Sequence, residues 1–151
     1  VSGLVVNNLQ EKFPGTRVAI LDTDSHHGNG TRNYVCFCSM NRIEDKETKI
    51  CIDSGYHNSD GEYLNLVKSE FIDRLDKFQP DIILHLLGHD TAKGDYGSRG
   101  LSKEFFPNLV QLVKNSAKIC NDRYLINTHG GASIDICEFV YKEAIKILAK
   151  L

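Results

Sequence analysis

Short apolar runs alternate along the chain with longer stretches in which apolar residues recur every three or four positions. Five runs predict strands: RVAILDTD (17–24), NYVCFCSM (33–40), KICID (49–53), DIILHLLG (81–88) and RYLIN (123–127). The first and fourth have the composition of strands buried within a sheet. Helical spacing is found in four segments: 3–13, 62–79, 109–117 and 136–151. This order predicts an α/β fold with one domain over residues 1–151, in which a parallel sheet forms the middle of three layers with helices on both faces.

Three loops that follow predicted strands combine charged residues with glycine. They are DTDSHHGNGT (22–31), GHDTAKGDYGSRG (88–100) and NTHGGAS (127–133). Sites in open parallel sheets lie beyond the carboxyl ends of the strands, so we expect the three loops to converge. Charged groups at this density are costly to bury unless they are paired, hydrogen-bonded or bound to a metal.

The spacing of Asp24 and His26 suggests metal binding. On an extended segment, side chains two positions apart project to one face and can chelate one ion. Asp90, after the strand at 81–88, supplies a third ligand. Two carboxylates and one imidazole leave a coordination position open, as in catalytic rather than structural Zn²⁺ sites. The Asp-x-His spacing alone also fits a helix N-cap in a turn, and this ligand set accepts Fe²⁺ or Co²⁺ as well as Zn²⁺.

Composition and charge narrow the function classes. The formal net charge of −2 gives no basic surface for direct contact with nucleic acid or a membrane, and no apolar stretch approaches the roughly 18 residues of a membrane span. Five cysteines, four of them in apolar runs, predict buried thiols in a cytoplasmic protein, with metal binding by Cys36 and Cys38 as the less favoured interpretation. His85, inside a predicted strand, is interpreted as a core histidine.

The string DTDSHHGNGT resembles the D-x-D-x-H-H-G-N-G-T motif of the histone deacetylase family. The resemblance continues in the same order along the chain. The segment FQPDIILHLLGHDTAKGD resembles the family's F-x-P-x-x-x-x-x-x-x-G-x-D segment, and NTHGGAS lies where the family has a Gly-Gly-Tyr loop. The resemblance implies an arginase/deacetylase-like fold with Zn²⁺ held by Asp24, His26 and Asp90.

For the other site residues the resemblance implies supporting roles. Asp22 would act through hydrogen bonds to a catalytic histidine, beside a monovalent cation, and His27 would support the site. The substrate pocket would include Gly88, His129, Gly130 and Gly131. The implied reaction is metal-assisted removal of an acetyl group from acetyl-lysine or a small acetylated amine.

Two departures from the family pattern concern catalysis. The tandem histidines that act as acid and base in the family lie upstream of the helix that begins this chain. We therefore expect the chain to be the C-terminal half of the domain, without that base and with an exposed sheet edge that favours self-association. Ala132 stands where the family has an oxyanion tyrosine, and His129 and Tyr96 are candidates to replace that hydroxyl.

Two other functions are compatible with these departures. A catalytically weak relative would keep the metal and bind acyl-amide ligands without hydrolysing them, as the methyl group of Ala132 suggests. An arginase-like hydrolase with two metal ions would need further carboxylate and histidine ligands, and in the second loop the sequence offers only Asp95 after Asp90.

Overall fold

The computed structural model describes residues 2–26, 49–51 and 59–149. Its helices are α1 (Ser2–Lys12), α2 (Asp60–Val67), α3 (Asp73–Phe78), α4 (Phe105–Ser116) and α5 (Ile134–Ala149). Its strands are β1 (Val18–Asp22), β2 (Lys49–Cys51), β3 (Ile82–Leu87) and β4 (Tyr124–Thr128). The predicted strand at 33–40, with Cys36 and Cys38, and the predicted supporting residue His27 lie outside the described residues.

All four described strands are parallel and form one sheet in the order β2-β1-β3-β4. Asp22 is in register with Leu86, and Leu87 with Thr128. Strands β1, β3 and β4 therefore end at the same edge of the sheet. The predicted parallel sheet is confirmed, and its geometry brings the loops after these three strands together.

Each face of the sheet packs against helices. Ala19, Leu21, Ile83 and Leu87 belong to a large core cluster with residues of α2, α3, α4 and α5. The alternate strand residues, Val18, Ile20, Leu84 and Leu86, form a smaller cluster with Val6 of α1. Burying an aliphatic side chain of this size contributes about 1.5–3 kcal/mol, so both clusters stabilise the sheet. The three-layer arrangement is confirmed.

Edge strand β4 is less well covered than its neighbours. Leu125 is in register with Leu84, so it lies on the face that α1 covers, yet it is 55% exposed. Phe13, just after α1, is also exposed. None of the described helices is long and apolar enough to cross a membrane.

The helix predicted over 62–79 is continuous but not uniform. Ser59 caps it, because the Ser59 side chain accepts a hydrogen bond from the Glu62 N–H at 3.3 Å. A π-helical turn at Lys68–Ile72 separates α2 from α3. The helix ends at Gln79, which has a left-handed backbone (φ 50°) immediately before Pro80.

His85 is a core residue, as predicted. Its side chain is fully buried, with Nε2 2.9 Å from Thr23 Oγ1 and Nδ1 2.7 Å from Tyr124 Oη. Both ring nitrogens therefore have partners, which is what a buried imidazole requires. Among the described residues, the free thiol of Cys120 is buried as predicted, whereas that of Cys137 is only half-buried because it lies on a partly exposed turn of α5.

Candidate metal centre

The backbone joins the loops that follow β1, β3 and β4. The Thr23 N–H donates to Leu86 O at 3.1 Å, and the His129 N–H donates to Leu87 O at 3.0 Å. These bonds continue the sheet pairing beyond the strands themselves. The three polar loops therefore meet at one edge, as their positions in the sequence predict.

Asp24, His26 and Asp90 lie together at this edge. His26 Nδ1 is 3.2 Å from Asp24 Oδ1 and 3.0 Å from Asp90 Oδ2, and one ligand atom from each residue lies within 4.8 Å of the others. Ligand atoms about 2.0–2.1 Å from a tetrahedral Zn²⁺ are about 3.3 Å apart, so the spacing fits one such ion. The two carboxylates are buried, whereas the His26 side chain is 60% exposed. The cluster is thus closed on the protein side and open toward solvent.

The Asp24–His26 pair is brought together by a turn rather than by strand alternation. Strand β1 ends at Asp22, and the next residues bend. The His26 N–H donates to Asp24 Oδ1 at 2.8 Å, and the Asp24 N–H donates to Asp22 Oδ1 at 3.3 Å. The expectation of an extended segment is therefore wrong in its geometry, because aspartate side chains favour such local bonds to the backbone two residues on.

The loop after β4 holds the carboxylate of Asp24 in place. Its Oδ2 lies 3.0 Å from His129 Nδ1 and accepts a hydrogen bond from the Gly130 N–H at 2.9 Å. Burial alone would raise the pKa of Asp24, but the bonds from His129, His26 and Gly130 hold that pKa well below its ordinary value. The bond to Asp24 raises the pKa of His129, against the opposing effect of burial. Asp24 therefore stays ionised, with Oδ1 facing the cluster.

Asp90 is oriented by Ser25, a residue that the sequence interpretation did not select. Asp90 Oδ1 accepts the Ser25 N–H at 3.1 Å, and Oδ2 accepts the Ser25 hydroxyl at 2.6 Å. Arg99 Nη2 in turn donates to Ser25 O at 2.9 Å. The position of Ser25 between two proposed ligands was the available signal, but nothing in the sequence indicated a partner 65 residues away.

Glycines allow the carboxylates to approach the backbone closely. A Cβ atom on Gly88 would lie 2.9 Å from Asp24 Oδ2 and 2.9 Å from Asp90 Oδ1. One on Gly130 would overlap Asp24 Oδ2 and lie 2.9 Å from Asp90 Oδ2, and one on Gly97 would overlap Ser25 Oγ. Gly88 and Gly130, which were predicted to lie in the pocket, therefore belong to the backbone that surrounds the carboxylates of Asp24 and Asp90. We call this backbone the cradle, and Gly97 is a third glycine in it that was not predicted.

The other predicted residues of the last loop have structural contacts. Gly131 has a φ of 141°, and a Cβ there would run into the ring of His89, which is buried. Asp95 accepts hydrogen bonds from the Ala132 N–H at 3.1 Å and the Ser133 N–H at 2.8 Å, just before α5 begins. Asp95 therefore holds the start of a helix, and in the described part of the chain it is not one of the clustered ligands.

Comparisons with known proteins show the family and the fold of the chain. A family model of the histone deacetylase domain matches residues 38–148, which include Asp90 and the last loop. In a comparison with curated proteins, none matched. Among solved structures, the histone deacetylase Clr3 superposes with a TM-score of 0.78 at 19% identity over 99% of this chain, and the HDA15 HD domain with a TM-score of 0.68 at 18% identity over 97%. The chain spans 30% of the Clr3 chain and 49% of the HDA15 chain.

Proposed function

The chain belongs to the histone deacetylase family, and on that premise we propose that it carries the metal site of a zinc-dependent amidohydrolase. The substrate is acetyl-lysine or a related acetylated amine. The convergence of Asp24, His26 and Asp90 at an open edge of the sheet is the observation that carries the proposal. When bound, Zn²⁺, or Fe²⁺ or Co²⁺ in its place, supplies a Lewis acid for the amide carbonyl and a means of activating water.

The surrounding residues keep the three ligands in place. His129 and the Gly130 N–H hold one oxygen of Asp24, so that the other faces His26. Ser25 holds both oxygens of Asp90. Such outer contacts fix the orientation of metal ligands and typically affect metal affinity 10–100-fold. The exposed side of His26 is the face at which an acetylated side chain would enter.

Asp22 has a supporting role in this proposal. It is buried behind Asp24, and its Oδ1 accepts the Asp24 N–H at 3.3 Å, so it acts on the ligand turn through a hydrogen bond. A monovalent cation near Asp22 belongs to the same proposal, because the resemblance to the family implies one beside this loop.

The cellular compartment, the substrate class and the self-association of the protein also belong to the proposal. Free thiols at Cys120 and Cys137 favour the cytoplasm, where thiols stay reduced. The formal net charge of −2 favours a small or peptide substrate over direct binding of nucleic acid. The exposed side chains of Leu125 and Phe13 favour self-association through the less covered face of the sheet.

One observation favours a second function. Ala132 has only a methyl group where the resemblance places a tyrosine, and its backbone N–H already donates to Asp95. Loss of one oxyanion donor costs about 2.7–4 kcal/mol of transition-state stabilisation. A protein without such a donor would hold an acyl-amide ligand at the metal and release it unchanged.

Acetate release distinguishes the two functions. We would assay the full-length protein that contains this chain with an acetyl-lysine peptide and an acetylated polyamine, after chelator treatment and again after adding Zn²⁺. Hydrolysis that returns only with Zn²⁺ and is lost in Asp90→Asn is the expected result. Metal-dependent binding of the peptide without acetate release would identify the binder instead. Hydrolysis that survives both chelation and Asp90→Asn would contradict the proposed function.

A further inference from the structure

An aromatic ring from the loop after β3 borders the open face of the metal cluster. The rings of Tyr96 and His26 are stacked, with centroids 5.4 Å apart and planes inclined by 22°. Tyr96 is 63% exposed, so its ring lies at the mouth of the site rather than in the core. A ligand held beside His26 at the metal cluster would therefore have the ring of Tyr96 as a neighbour.

The hydroxyl of Tyr96 is directed toward the cluster. A Cβ atom built on Gly130 would lie 3.0 Å from Tyr96 Oη and 2.9 Å from Asp90 Oδ2. Such a Cβ atom would also overlap Asp24 Oδ2, so the phenolic oxygen and both carboxylates lie close to the same point. The hydroxyl of Tyr96 is therefore a near neighbour of the oxygens that would hold the metal.

The neighbouring hydrogen-bond donors have other partners. The Gly130 N–H donates to Asp24, the Ser25 hydroxyl donates to Asp90, and the Ala132 N–H donates to Asp95. These donors hold the carboxylates in position. A phenol is neutral near pH 7 and is a good donor to an oxygen that gains negative charge.

We propose that Tyr96 is a catalytic residue that donates a hydrogen bond to the carbonyl oxygen of the acetylated substrate. The inference rests on the proposed function. Water adds to the carbonyl carbon, the C=O electron pair moves to oxygen, and Tyr96 stabilises that charge without losing its proton. The C–N bond then breaks, the amine nitrogen takes one proton of the added water while the other passes to solvent, and acetate and the free amine leave.

The affinity for a metal-chelating ligand tests the hydrogen bond from the Tyr96 hydroxyl without relying on hydrolysis of a substrate. Acetohydroxamic acid presents a carbonyl oxygen to a metal centre as an acetyl amide does, and its affinity can be measured by calorimetry on the Zn²⁺-loaded protein. Tyr96→Phe keeps the ring over His26 and removes only the hydroxyl. We expect Tyr96→Phe to bind Zn²⁺ as the wild type does, but to bind acetohydroxamic acid roughly 10- to 100-fold more weakly. The full-length protein should lose roughly 10²- to 10³-fold in kcat.

Tyr124→Phe is the matched control, because it removes a tyrosine hydroxyl that lies near His85 and away from the cluster. It should leave the affinity for acetohydroxamic acid unchanged. Equal affinity in Tyr96→Phe and the wild type, or equal losses in Tyr96→Phe and Tyr124→Phe, would overturn the role of Tyr96 and leave the proposed function standing. Failure of the wild type to bind Zn²⁺ would overturn both.

Discussion

His129 Nδ1 lies 3.0 Å from Asp24 Oδ2, so the loop after β4 holds a carboxylate from the loop after β1. The contact crosses β3, which lies between these strands in the sheet. It occupies the oxygen of Asp24 that faces away from His26 and leaves Oδ1 for the cluster. The loops after β1 and β4, which lie on opposite sides of β3, therefore stabilise the candidate metal site together.

Removing this contact should weaken metal binding without abolishing it. In His129→Ala, Asp24 keeps its bond from the Gly130 N–H but loses its side-chain partner. We expect the affinity for Zn²⁺ to fall roughly 10- to 100-fold, as measured by competition with a chromogenic chelator. Because the His129 side chain is partly exposed, the melting temperature should change little. Unchanged Zn²⁺ affinity would show that His129 does not support the ligand.

Gly130 gives a steric test of the same cradle. Its φ lies outside the left-handed region, so Gly130→Ala acts only through the new Cβ, which would overlap Asp24 Oδ2. The carboxylate must move, and we expect Zn²⁺ affinity to fall at least as much as on loss of an outer contact, roughly 10- to 100-fold. Gly61→Ala, in α2 with open space around its Cβ position, is the control and should bind Zn²⁺ normally. Equal affinities in the two variants would argue against the cradle.

Much of the fold could be predicted because apolar periodicity reports burial directly. The runs that became β1 and β3 are buried on both faces, and the parallel order places their ends beside that of the less covered β4. Local features that depend on side-chain bonds were not predictable from periodicity. The turn after Asp22 and the π-helical turn at Lys68–Ile72 are of this kind.

The candidate site was predictable only in part for a related reason. Asp24, His26 and Asp90 follow strand ends, where polar residues stand out against apolar runs. Ser25 and Gly97 act through contacts with residues far away in sequence, and serine and glycine are ordinary residues for any loop. Side-chain identity alone therefore gave no reason to select them.

The buried histidine predicts a pH dependence of stability. Burial lowers the pKa of His85 to about 3, whereas an unfolded histidine has a pKa of about 6.5. Between these values the unfolded chain binds a proton that the folded chain does not. His85 alone therefore lowers the free energy of unfolding by about 1.4 kcal/mol for each pH unit below about 6.5.

Urea unfolding at several pH values between 4 and 8 measures this effect. Gln does not titrate, so His85→Gln should show a slope of unfolding free energy against pH that is smaller by about 1.4 kcal/mol per unit in the acidic range. Thr23 and Tyr124, the partners of His85, remain in that variant. Identical slopes for the variant and the wild type would mean that His85 is protonated in the folded protein.

Zn²⁺ titration of four purified proteins decides whether Asp24, His26 and Asp90 form one metal site. The four are the wild type, Asp90→Asn, Asp22→Asn and the surface control Asp76→Asn, with calorimetry giving stoichiometry and affinity. Asp90→Asn removes a ligand charge with almost no change in volume, whereas Asp22 lies behind the ligands and Asp76 is exposed on α3. We predict one Zn²⁺ per wild-type chain, at least 100-fold weaker binding in Asp90→Asn as an order of magnitude, and binding close to wild type in the other two. No binding by the wild type, or equal binding by the wild type and Asp90→Asn, would rule out the proposed metal site.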